Sequence, residues 1–198
     1  MWALIESNSV SKIYSHPTSL LLNGIRHPAN IFNLWSEAEL KAIGIYSISI
    51  NNTNLQDTNY YINTDITYAY NSDADTVSGS YGTATAKAIA DTLYTSEDED
   101  NGLGTEGEVK NKGLKTQHKE KINRAAAGFL SDTDWMVVRA AEGGTAVPSA
   151  NTTYRAAVRT AANSMCTKID NAANLAALIA LYVYTDGTRP LGEFPNEI

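Results

Sequence analysis

The chain reads as an α+β protein, with a β-hairpin-rich N-terminal half that carries one short helix and an antiparallel helical C-terminal half. Three observations support this. Apolar residues alternate between Asn- and Gly-containing turns over roughly the first half of the chain. Beyond residue 113 the apolar spacing changes to three and four. An acidic, glycine-rich stretch lies between the two regimes. The expected organisation is a β-rich domain over residues 1–95, a linker over 96–107, a helical domain over 108–184 and an extended C-terminal arm over 185–198.

Residues 2–6 and 10–15 are short β-like runs around Ser7-Asn8-Ser9, which predicts a hairpin. Leu20-Leu21-Leu22 is followed by Asn23-Gly24, the strongest two-residue hairpin signal, so Ile25-Arg26-His27 is expected to return beside it until Pro28. Ser36 and Glu39 form a capping box, which starts a helix over residues 37–43, and Gly44 closes it in the left-handed region. Residues 45–50 alternate as a strand, and 51–59 are a polar loop. Residues 60–71 form the clearest strand, with Ile62, Ile66, Tyr68 and Tyr70 on one face and Asn63, Asp65 and Thr67 on the other. Val77, Gly79, Tyr81, Thr83 and Thr85 form its partner. The spacing of Ile89, Ala90 and Leu93 predicts a single helix over 86–94.

In the second half, Leu114, His118, Ile122, Ala125 and Phe129 make one helical stripe, and Tyr154, Val158, Ala161, Met165 and Ile169 make another. Each stripe needs cover, and Trp135 is expected to fill the space between them. Asp132 or Asp134 is expected to cap a helix holding Arg139, with an Arg–Asp pair between helices fixing their packing. The tail holds Pro190 and Pro195 and has no period, so it reads as an arm.

Composition limits the functional classes. The 198 residues are 43% hydrophobic with a formal net charge of −7, which suits a globular chain and argues against a nucleic-acid groove or an anionic membrane as partner. Lys110, Lys112, Lys115, Lys119, Lys121 and Arg124 form a basic run, read as the solvated face of the first long helix. Cys166 is the single cysteine, so no intrachain disulfide or thiolate cluster is possible. The start of the chain lacks a basic leader and apolar run, and no segment approaches the ~18 apolar residues of a membrane span. The expectation is a protein made and folded in a cytoplasm.

Motifs for chemistry are sparse. Glu97, Glu99, Asn101, Gly102 and Glu108 fall on the Ca²⁺-loop template, but the first and third places want shorter side chains and Gly104 replaces the apolar clamp, so a solvated linker is favoured. His16, His27 and His118 share no ligand spacing. No nucleophile elbow, phosphate loop or dinucleotide fingerprint occurs. No catalytic, metal or cofactor residue is assigned, and no cofactor is expected. The candidate interaction residues are Tyr60, Tyr68, Tyr70 and Tyr81 on the hairpin, Arg155 and Arg159 beside the Trp segment, and Leu191 and Phe194 on the arm. Tyrosine offers large contact area with little rotamer entropy to lose, and arginine binds carboxylates bidentately.

The order Leu130-x-x-Thr133-Asp134-Trp135, Arg139, Gly144, Pro148 and Tyr154-Arg155-x-x-Val158-Arg159 resembles the C-terminal region of tail fibre assembly proteins and related tail-associated proteins of tailed bacteriophages. Trp35-Ser36-x-x-Glu39-Leu40-Lys41-x-Ile43-Gly44-Ile45-Tyr46 is similar to the leader that often accompanies it. The resemblance implies a non-catalytic fibre- or baseplate-associated structural protein of the virion tail. The surplus apolar surface on the hairpin and arm adds the expectation of a homo- or hetero-oligomer with other tail proteins, and the net charge that of no nucleic acid or membrane. A fibre assembly chaperone that leaves the particle is the alternative, and a tail-associated cell-wall hydrolase the remote one.

Overall fold

The computed structural model describes residues 1–196, and the chain is an α+β protein of two compact units, Met1–Thr85 and Ala86–Ile198. The first unit is mostly strands. β1 (Trp2–Glu6) and β2 (Ser9–Tyr14) pair antiparallel across Ser7 (φ 51°) and Asn8 (φ 60°), the two positive-φ positions of a primed turn. β3 (Leu20–Leu22) and β4 (Ile25–His27) repeat the device with Asn23 (φ 51°) and Gly24 (φ 80°). A short α1 (Ile31–Leu34), unanticipated from the sequence, buries Ile31 and Phe32.

α2 (Glu37–Ala42) carries the expected capping box. Glu39 N–H donates to Ser36 Oγ, Ser36 N–H donates to the Glu39 carboxylate at 2.7 Å, and Gly44 (φ 81°) closes the helix. The chain then enters β5 (Ile45–Asn51), which lies antiparallel to β1. After β6 (Tyr61–Ile62), β7 (Ile66–Asn71) and β8 (Thr76–Tyr81) form the tyrosine hairpin, and β8 runs parallel to β5. The sheet order is β2-β1-β5-β8-β7. Leu4, Tyr14, Leu20, Phe32, Leu40 and Ile45 form the core, with Trp2 and Trp35 packed against it. The long strand expected over 60–71 is interrupted at residues 63–65, which leaves Ile62 exposed, but Ile66, Tyr68 and Tyr70 keep one face.

The second unit corrects several expectations. Residues 86–94 are not a helix. β9 (Thr85–Ala86) runs into this stretch and β10 (Thr92–Leu93) lies within it. Between them the Ala88 and Ile89 carbonyls accept the N–H groups of Leu114 and Lys115. Those carbonyls serve the next helix rather than one of their own, which is what overrides the local propensity.

The acidic stretch is not a free linker. It holds α3 (Ser96–Asp100), capped reciprocally by Thr95 and Asp98, and it closes a hairpin between β10 and β11 (Val109–Asn111). A Cβ at Gly104 would sit 2.5 Å from the Tyr94 ring, so that glycine is required by packing. The division between the units falls at Thr85/Ala86, before this stretch.

α4 (Leu114–Ala141) and α5 (Ser149–Asn171) are the antiparallel pair, and α6 (Leu175–Ala180) follows with an Asn174 cap. α4 runs unbroken through Asp132 and Asp134, so neither is a cap. Its buried stripe is Leu114, His118, Ile122 and Ala126, with Ala126 in place of Ala125. On α5 the stripe is Tyr154, Arg155, Val158, Ala162, Met165 and Ile169, with Ala162 in place of Ala161.

Trp135 is 55% exposed and does not fill the core. At about 100° per residue it lies ~120° from the centre of the buried stripe. A continuous helix leaves no break that would swing it inward. The expected arm folds back onto its own unit. Leu191 is fully buried with its N–H on the Leu181 carbonyl, and Phe194 stacks on Phe129 at 5.0 Å. Residues 197–198 of that arm lie outside the described residues.

Candidate protein interaction surface

The Trp segment lies on the C-terminal half of α4, and α5 reaches it with one side chain. Arg155 is buried, and its Nη1 donates to the Leu130 carbonyl (2.8 Å) and to Thr133 Oγ1 (2.6 Å), while Nη2 donates to Asp134 Oδ1 (2.7 Å). This is the interhelical Arg–Asp pair expected from the sequence, made by Arg155 with Asp134. The guanidinium also takes up the Leu130 carbonyl and the Thr133 hydroxyl, so three acceptors are satisfied by one planar fork. Arg155 therefore belongs to the interior. Arg159, one turn on, is exposed.

Locking Thr133 and Asp134 toward α5 turns the next residue outward. The Arg139 guanidinium lies over one face of the Trp135 ring at 4.8 Å, a cation–π contact one turn along the helix. Val138 is 55% exposed beside it. The sequence identified this segment but placed its aromatic on the wrong side of the helix. Because Trp135, Met136, Val137 and Val138 follow one another without a break, the spacing there did not fix the phase.

The hairpin tyrosines are half-buried. Tyr70 packs edge-on to Tyr46 with centroids 5.2 Å apart, and its hydroxyl donates to Asp75 Oδ1 at 3.0 Å. Lys41 Nζ donates to the Asp75 backbone and carboxylate, tying α2 to the β7–β8 turn. The Lys41 bond, followed by those of Tyr46 and Tyr70, holds the Asp75 carboxyl below its usual range, and the Tyr70 hydroxyl pushes Tyr46 up. Tyr68 lies against Gly79, where a Cβ would come within 3.0 Å of its ring. Asn54 donates to the Tyr81 carbonyl, and burial raises Tyr60. These contacts stiffen the sheet face.

Leu191 and Phe194 are internal contacts and leave the candidate surface. The basic run is partly spent in ion pairs, Lys110 with Asp98, Lys112 with Glu120 and Lys119 with Asp170. Within the acidic stretch Asp98 takes the Thr95 cap and Lys110, and Glu99 accepts the Glu106 N–H, a helical geometry unlike a Ca²⁺ loop. Among the described residues no group of three or more His, Cys, Asp or Glu is placed to hold a metal ion, and no helix is long and apolar enough to cross a membrane. A concavity of about 490 Å³ lies between the first two hairpins, but Glu6 there is bonded by Ser11, and Lys12 sits over the Tyr14 ring at 5.2 Å.

Compared with family models, curated proteins and solved structures, the chain matches none of them.

Proposed function

We propose that this protein is a non-catalytic structural component of a bacteriophage tail, fibre- or baseplate-associated, that works through protein–protein contacts. The observation that supports this reading is the division of labour within the Thr133-Asp134-Trp135 segment. The first two side chains are held by Arg155, while the Trp stands exposed on a rigid helix beside Val138. An exposed aromatic on a preorganised element is the chemistry of an interface anchor, because it brings large contact area at little entropic cost. The polar residues of the segment serve packing, which suits an assembly role more than a reaction.

Mass spectrometry of purified mature particles tests the reading. A structural component is present at fixed stoichiometry. Absence from the particle together with presence in assembly intermediates would replace it with an assembly chaperone.

A further inference from the structure

On the side of α4 opposite its buried stripe, Lys121, Arg124, Gly128, Ser131, Trp135 and Val138 follow one another at steps of three and four, and every one of them is exposed. That alternation is the spacing of an interhelical seam. Its middle is made for close approach. A Cβ at Gly128 would meet nothing within 4 Å, and the Ser131 hydroxyl is folded back onto the Gly128 carbonyl at 2.7 Å.

The two ends of the seam differ in chemistry. The N-terminal end is cationic with Lys121 and Arg124, and the C-terminal end is aromatic and apolar with Trp135 and Val138. Laid antiparallel about its middle, the seam is complementary to itself. Gly128 faces Ser131, Arg124 faces Trp135, and Lys121 lays its aliphatic stem on Val138. A parallel arrangement would set Arg124 against Arg124 and Lys121 against Lys121.

One further feature supports the antiparallel register. An open groove of about 380 Å³ lined by Glu120, Asn123, Arg124 and Ala127 lies at the level where the partner's Trp135 would arrive. Arg139 already covers one face of the Trp135 ring, so a partner's Arg124 would meet the other.

We propose that α4 pairs antiparallel with α4 of a second copy of this chain, with Trp135 of each copy seated in the Glu120–Ala127 groove of the other. The contact is isologous, so it closes as a two-fold dimer and does not propagate. It rests on the assembly reading only for its biological purpose.

Sedimentation velocity of the full chain over rising concentration reads the association. The wild type is expected to pass from monomer to dimer. Trp135→Ser and Arg124→Glu should each weaken the dimer by about thirtyfold, the loss typical of an interface hot spot. Gly128→Gln places a side chain where the monomer has open space and improves helix propensity, so its loss of dimer cannot come from misfolding. A spin label at Lys121 in a Cys166→Ser background is expected at about 25 Å from its mate, since antiparallel pairing sets residue 121 level with residue 138 of the other helix. A wild type that stays monomeric, a dimer indifferent to Trp135→Ser and Gly128→Gln, or label distances of a parallel pair would each overturn the pairing. None of those results bears on particle composition, which decides the tail reading separately.

Discussion

Arg155 and Trp135 were both singled out by residue type, and the structure exchanges their roles. The arginine is the buried member, donating to three oxygens on α4, and the tryptophan is the exposed one. At concentrations where the chain is monomeric, Trp135→Ala should change stability by no more than about 0.5 kcal/mol, as for other surface sites. Arg155→Ala should cost about 1.5–3 kcal/mol, because it removes a buried side chain together with its charge-assisted hydrogen bonds to the part-buried Leu130 carbonyl, the Thr133 hydroxyl and the Asp134 carboxylate. Denaturant unfolding of the two variants beside the wild type checks the order, and a larger loss for Trp135→Ala would return it to the core.

His118 makes a second prediction. It is buried on α4, with Nδ1 2.6 Å from the Tyr182 hydroxyl, and burial, with a smaller push from Lys121, lowers its pKa from the ordinary 6.5. The unfolded chain then takes up a proton before the folded one does. Stability is full above the ordinary imidazole range and falls as pH drops through it toward the folded value. Thermal midpoints measured against pH should decline in that window for the wild type and stay flat there for His118→Gln. The depressed carboxyls Asp75, Asp91 and Asp98 act with the same sign, but only below their ordinary 3.8.

At the scale of elements, legibility followed how local the determinant was. Both N-terminal hairpins, the Ser36–Glu39 box, the Gly44 closure and β5 are set by residues within a few positions of each other, and all could be read from the sequence. Residues 86–94 and the tail could not, because what decides them is far away in sequence. Ala88 and Ile89 accept hydrogen bonds from the start of α4, and Leu191 enters a site between α5 and α6 that only the folded helices create. Lys168 Nζ holds that return by donating to the Pro190 (2.8 Å) and Leu191 (3.1 Å) carbonyls. Leu191→Ala should therefore cost about 2–5 kcal/mol, the range for emptying a fully buried leucine site. A Leu191→Ala protein with unchanged unfolding would restore the tail as an outward arm.

At the scale of the whole molecule, composition suggested a boundary in the acidic stretch, whereas the compact units divide at Thr85/Ala86. An acidic, glycine-rich run resembles a linker because no apolar period crosses it. Here it is the loop of a β10–β11 hairpin, held by the Thr95–Asp98 box and the Lys110–Asp98 ion pair at 2.7 Å. The segment before it belongs with the helices. Asp91 accepts from Gly113 N–H at 2.7 Å and from the Thr116 hydroxyl at 2.9 Å, bonds that hold its carboxyl below the usual range, and the Ala88 and Ile89 carbonyls take the next two N–H groups of α4. Gly113 is pinned there, since a Cβ would come within 2.2 Å of the Ala90 carbonyl oxygen. A helix whose first N–H groups lose their acceptors frays from that end, and Leu114 and His118 of the buried stripe lie in its first turns. Two fragments separate the alternatives. One starting at residue 86 keeps the acceptors and should unfold cooperatively, with the imidazole pH dependence intact. One starting at residue 108 cuts through the hairpin and discards all three acceptors. Its thermal midpoint should be lower by on the order of 5 °C or more, and equal midpoints for the two would put the boundary back in the acidic stretch.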